Sequence, residues 1–167
     1  YLDRTNMAVA APSMSAELGF SAATMGMLLS AFAWAYALMQ VPGGCFLERF
    51  GPRITYTISL FFWSLFTMIM GLGHSFLSLF GIRMAIGAAE SPAFPTNSRV
   101  VAAWFRTANG NGNVIYTAAE FVGLAFLTPV LFWILDTFGW REIFYITGFV
   151  GIGVSVIWYL LYRDPKD

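Results

Sequence analysis

The sequence predicts an all-α membrane protein, and three observations carry that prediction. Of the 167 residues, 58% are hydrophobic and only 11% are charged, and the mean hydropathy is +0.68. A soluble domain of this size needs far more polar surface to cover itself. Apolar runs long enough to cross ~30 Å of hydrocarbon at about 1.5 Å per residue recur between short polar breaks. The few charges fall in those breaks or, at Asp3-Arg4 and at Arg83 with Glu90, inside the runs themselves.

Five complete spans follow in order, near residues 22–46, 54–72, 77–105, 114–135 and 143–162. Ahead of them, residues 1–12 are too short to span and begin on Tyr1 with no initiating methionine, which reads as the second half of a first span. The last two spans are joined by Asp136 to Glu142, whose charges and aromatics suit a membrane interface. Arg49 and Arg53, Arg99 and Arg106, and Arg163 and Lys166 fall on one side, whereas the opposite connections hold only Arg141. The positive-inside rule makes the first side cytoplasmic and puts the turns at Glu17, His74 and Asp136 outside. A multi-pass protein of a bacterial inner (plasma) membrane, with a cytoplasmic N-terminus and no visible cleavable signal peptide, is expected.

Glycine and proline punctuate the spans at Pro42-Gly43-Gly44, Gly81, Gly87, Pro92, Pro95, Gly123, Pro129 and Gly148. Small residues let helices approach closely and prolines permit kinks. Gly148-x-x-Gly151-x-Gly153 superficially resembles a dinucleotide fingerprint, but no βαβ unit surrounds it, so a packing face is expected. Trp104, Trp140, Trp158 and Tyr162 sit near span ends as interfacial anchors.

Several function classes are disfavoured. Nine basic and nine acidic residues give no nucleic-acid footprint. Cys45 is the sole cysteine, which rules out an internal disulfide or a thiolate cluster. No pair of histidines or carboxylates has metal spacing and no serine has nucleophile surroundings, so no enzyme site, metal or cofactor is expected.

The intramembrane charges point to function. Each ionised side chain at the centre of a membrane helix costs roughly 2.5–3.5 kcal/mol on insertion scales, so such residues need partners and a use. Arg83 and Glu90 are seven apart, on one helix face and about 10.5 Å apart along the axis. They are too far for direct pairing but can flank a third group, and Asp3 from another helix can be that group. Burial disfavours a charged carboxylate and a neighbouring arginine favours it, so protonation can depend on which partner is engaged. A guanidinium released by protonation of its partner suits bidentate recognition of a substrate carboxylate. A structural ion-pair network is the alternative reading of the same residues.

The connection GCFLERFGPR, from Gly44 to Arg53, resembles the cytoplasmic-loop signature Gly-x-x-x-Asp-(Arg/Lys)-x-Gly-x-(Arg/Lys) of the major facilitator superfamily. Gly44, Arg49, Gly51 and Arg53 match it in register, and Glu48 stands where that family has Asp. Such a turn can pair with neighbouring helix ends and latch one conformation. The segments YLDRTNMAVAAP, SAFAWAYALMQVPGG, ESPAFPTNSRVVAAWF and YTAAEFVGLAFLTP resemble the anion:cation symporter branch, and bacterial hexonate transporters of the galactonate type most of all. The resemblance implies a twelve-helix fold in two halves, of which this chain supplies the N-terminal six-helix half, its first helix truncated, with the C-terminal half missing. It implies proton-titrating roles for Asp3 and Glu90 and a pairing role for Arg83. It implies sugar-acid contacts for Tyr1, Arg4 and Tyr36, while Gln40 matches the branch with no contact assigned. Glu120 stands at a substrate contact where hexonate transporters usually carry Gln, and an ionised carboxylate there would repel an anion. The stretch from Arg106 to Asn113 also departs from the branch, with Asn and Gly in place of a charged helix start.

The expectation is therefore a secondary active transporter that symports a sugar acid or related organic anion with protons by alternating access, in a lipid bilayer. An organic-anion exchanger or facilitator of the same fold, and a non-transporting membrane fragment, are the alternatives.

Overall fold

The computed structural model describes residues 2–105 and 111–164, the side chains of Leu2 and Asp3 excepted. Seven helices occupy the described residues: α1 (Leu2–Leu18), α2 (Ala22–Leu38), α3 (Gln40–Met70), α4 (Phe76–Glu90), α5 (Ala93–Trp104), α6 (Asn111–Phe138) and α7 (Trp140–Leu161). Of these, α3, α6 and α7 are each long and apolar enough on their own to cross a membrane.

Local chemistry sets the boundaries. Ser21 and Ser75 accept hydrogen bonds from the backbone N–H of Thr24 and Ser78, capping α2 and α4. α1 continues through Pro12 to Leu18, beyond the expected end at residue 12. A membrane helix tolerates a proline because neighbouring groups re-satisfy the freed carbonyl. The turn expected between 44 and 53 is found there as a break at Gly51, where two helical segments, 40–50 and 52–70, meet within α3; a slighter interruption at Met39 separates α2 from α3. Gly51 stands at φ 78° and ψ 168°, outside the helical region, and turns the chain between the two segments. That left-handed φ is cheap only for glycine, and Pro52 follows it because proline can begin the next helical segment without an orphan N–H.

The helices form one bundle in which α3 packs along α7 and against α4 and α5, α2 packs on α4, and α1 touches α2, α6 and α7. Close approach depends on small residues. A Cβ at Gly87 would lie 2.5 Å from the Phe32 carbonyl oxygen, and one at Gly148 would lie 2.7 Å from that of Ser64. Gly151 also backs onto Ser64, whereas Gly81, Gly123 and Gly153 face open space. The glycine run of α7 is thus a packing face at two of its three glycines.

The polarity is inverted relative to a soluble protein. Asn6, Thr55, Thr67, Arg83 and Glu90 are buried, while Leu77, Phe126 and Leu161 are exposed. At one end of the bundle, Arg141 donates to the carbonyls of Gly71 (2.7 Å) and Gly73 (3.0 Å), meets the His74 Nδ1 at 3.1 Å and pairs with Glu17 at 3.6 Å. Glu17 also accepts a hydrogen bond from the Trp140 indole. The turns at Glu17, His74 and Arg141 therefore share one end, joined by one guanidinium.

Candidate functional site

The site is built where three helix faces converge. On α4, Arg83 and Glu90 repeat at a spacing of seven and both face inward, 4% and 7% exposed. On α2, Phe32 and Tyr36 are one turn apart with rings stacked 5.6 Å between centroids. From α1, Arg4 reaches between them. Its Nη2 lies 3.8 Å from the Glu90 Oε1, and its guanidinium lies 5.0 Å from the Phe32 ring centroid and 5.1 Å from that of Tyr36. The Arg83 guanidinium stands 5.0 Å from the same Phe32 ring. Rings at this distance stabilise a partly desolvated cation through their quadrupole, so Phe32 serves two arginines at once.

Arg4, Tyr36 and Glu90 line a cleft of about 600 Å³, together with Gln40, Tyr56, Asn97 and Tyr116. The Glu90 Oε1 faces Arg4, while its Oε2 is buried with no hydrogen-bond partner among the described residues. A buried carboxylate with half its acceptor capacity unmet is poised to take a proton or a new donor.

The sequence-derived residues divide clearly. Arg4, Tyr36, Arg83 and Glu90 come together, with Arg4, expected at the substrate, paired to Glu90, expected to titrate. Gln40, to which no contact was assigned, lines the cleft. Glu120 is half-buried on α6 and is not among the residues lining this cleft, although it lies one turn beyond Tyr116, which is. Tyr1 and the side chain of Asp3 lie outside the described residues.

The loop residues behave unequally. Arg53 donates from Nε (2.9 Å) and Nη2 (2.6 Å) to the Tyr159 carbonyl near the end of α7, and its backbone N–H meets the Asp164 carboxylate at 3.3 Å. Its guanidinium lies 4.5 Å from the Tyr159 ring. Arg49 lies over Phe50 at 5.5 Å, Glu48 is exposed, and Gly44 has open space where a Cβ would stand.

Sequence reasoning missed Tyr56, Asn97 and Tyr116. Asn97 donates to the Tyr116 hydroxyl at 3.0 Å, joining α5 to α6 at the cleft wall. A signal was present: Asn97 continues the seven-residue repeat of Arg83 and Glu90.

The Major Facilitator Superfamily model matches residues 1–167. The chain belongs to that superfamily. It is a multi-pass membrane protein, helical throughout the described residues. It is 47% identical over 99% of its length to the D-galactonate transporter of Escherichia coli O6:H1 (strain CFT073), covering 39% of that protein. It is 41% identical over its whole length to the "Probable galactarate/D-glucarate transporter GarP" of E. coli K12, again covering 39%. Among solved structures it resembles a bacterial homologue of the human lysosomal transporter Spinster in an inward-facing, unoccupied conformation. That match has a TM-score of 0.79 at 26% identity, over 99% of this chain and 42% of that one. The chain thus spans about two fifths of the length of the relatives it matches, and it aligns with relatives named for sugar acids.

Proposed function

We propose that the intact protein is a secondary active transporter that carries a sugar acid or related organic anion together with protons by alternating access. The observation that carries this reading is the Arg4–Glu90 pair, 3.8 Å apart on the wall of a 600 Å³ cleft. Glu90 and a substrate carboxylate compete for one guanidinium. When Glu90 takes a proton, Arg4 is released to bind the anion; when the anion leaves, Arg4 draws Glu90 back to its charged form. Arg83, held at Phe32, adds positive potential near the carboxylate, and Asp3 serves as a second titrating group. Tyr1, Tyr36 and Glu120 contribute to the substrate site. The similarity to transporters named for galactonate, galactarate and glucarate supports the sugar-acid class.

In this reading a second six-helix half closes the open side of the cleft, and Gly44, Glu48, Arg49, Gly51 and Arg53 form a latch at the cytoplasmic end. The protein works in a bacterial inner membrane. No covalent step is needed, and each net charge moved contributes about 2.3 kcal/mol per 100 mV.

The test is uptake of a labelled hexonate into proteoliposomes containing the full-length protein, with and without an inward proton gradient, for wild type and Glu90→Gln. Gradient-driven uptake that is lost in the variant is expected. Uptake indifferent to both gradient and substitution would identify an exchanger or facilitator instead.

A further inference from the structure

Beyond the charged cleft lies a second space of different chemistry. Phe94, Asn97 and Tyr116 line the 600 Å³ cleft and also a neighbouring cavity of about 230 Å³ between α5 and α6. The wall of that cavity further carries Ser98, Asn113 and Thr117, and none of its described lining residues is charged. Ser98 and Val101 extend it towards Gly112, where α6 begins. Among the described lining residues, the one cation, Arg4, lies in the cleft, and neutral amides and hydroxyls line the annex.

Resting on the transport reading above, we propose that this neutral annex is the subsite for the hydroxylated tail of the substrate, with Asn97 and Tyr116 as its specificity-determining residues. Three features lead to it. Hydroxyl groups both donate and accept, and amide and phenol side chains match them on both counts. The Asn97–Tyr116 hydrogen bond gives these groups a partner while the site is empty, so neither polar group must be buried unsatisfied before a polyol replaces it. Asn97 and Tyr116 line both the cleft that holds Glu90 and the annex, so a substrate anchored at the carboxylate end can reach into the annex. A carboxylate in the annex would find no cation among its described lining residues. The acid group is thereby directed to Arg4 and the polyol to Asn97, and a second carboxylate at the far end of a dicarboxylic sugar acid is disfavoured.

The experiment uses the full-length protein in proteoliposomes and measures competition against labelled galactonate by gluconate, by hexanoate (the same carbon count without hydroxyls) and by glucarate. In wild type, gluconate competes best. Asn97→Leu and Tyr116→Phe each weaken gluconate by about tenfold, the worth of one ordinary hydrogen bond, and leave hexanoate unchanged. A merely structural role shifts both competitors together, so the gluconate-to-hexanoate ratio is the readout; Tyr116→Phe, which keeps the ring, serves if the leucine variant fails to fold. An unchanged ratio in a galactonate-transporting wild type, or glucarate competing as well as gluconate, overturns the subsite alone. Absence of any hexonate uptake by wild type overturns the transport reading and the subsite with it.

Discussion

Replacing Glu90 with glutamine should tighten anion binding even as it abolishes proton coupling. The substitution preserves shape and removes the charge that holds Arg4. Two unit charges at the observed 3.8 Å separation attract by about 1 kcal/mol in water and about 4 kcal/mol at an effective dielectric near 20. Glu90 is buried, but the Arg4 side chain is 38% exposed, so the lower part of that range applies, about 1–2 kcal/mol. An incoming carboxylate no longer has to displace Glu90, so hexonate affinity at neutral pH should rise by about 5- to 30-fold. The pH dependence follows with a definite sign. In wild type the anion binds more tightly as pH falls, because a protonated Glu90 stops competing for Arg4. In Glu90→Gln that dependence should be markedly shallower, with only the contribution of Asp3 left. Calorimetric titration of the detergent-solubilised full-length protein across pH reads both effects. Weaker binding in the variant, or a pH dependence as steep as in wild type, would refute the competition between Glu90 and substrate.

Three further outcomes concern the scaffold, each checked by thermal unfolding of the full-length protein in detergent. Gly87→Val places a Cβ 2.5 Å from the Phe32 carbonyl, forcing α2 from α4 at a cost of about 1–3 kcal/mol, and it should also weaken anion binding by shifting the ring beside both arginines. Thr147→Val removes the hydroxyl that accepts the 2.8 Å hydrogen bond from the fully buried Asn6; it should cost about 1–3 kcal/mol, whereas Ser at that position should retain most of the stability. Arg141→Ala removes the donor to the Gly73 carbonyl and one of two donors to that of Gly71, which keeps the Tyr145 hydroxyl; it should cost about 1–2 kcal/mol and speed amide exchange around residues 71–75 without altering hexonate affinity.

Residues whose burial is expensive were the legible ones. Arg4, Arg83 and Glu90 stand out in apolar runs because an unpartnered charge there cannot be tolerated, and the bundle brings them to one place through Phe32. Asn97, Tyr56 and Tyr116 carry no formal charge, so their presence in a membrane helix raises no comparable alarm, and only the third repeat of the Arg83–Glu90 interval marks one of them. Helix ends were harder to read. Pro12 looked like a terminus but is carried inside α1, whereas the turn read at Gly44–Arg53 is realised as a break at Gly51. At Pro12 the local breaker signal gave way to the demand that backbone groups in an apolar medium bond within their own helix.

Gly51 makes α3 two rods on a single joint. The rod from Pro52 to Met70 is fastened to α7, by Gly148 and Gly151 against Ser64 and by Arg53 on the Tyr159 carbonyl. The rod from Gln40 to Phe50 carries Gln40 into the cleft wall and follows α2. Any tilt of that wall against the α3–α7 frame must be taken up by the two torsions of one residue. A side chain at Gly51 would stiffen this joint twice over, through its positive φ and through a Cβ 3.3 Å from the Asp164 carboxylate. The stretch of cleft wall that carries Gln40 is therefore hung like a door on a post, with the hinge pin set at the end of the bundle far from the Arg141 staple.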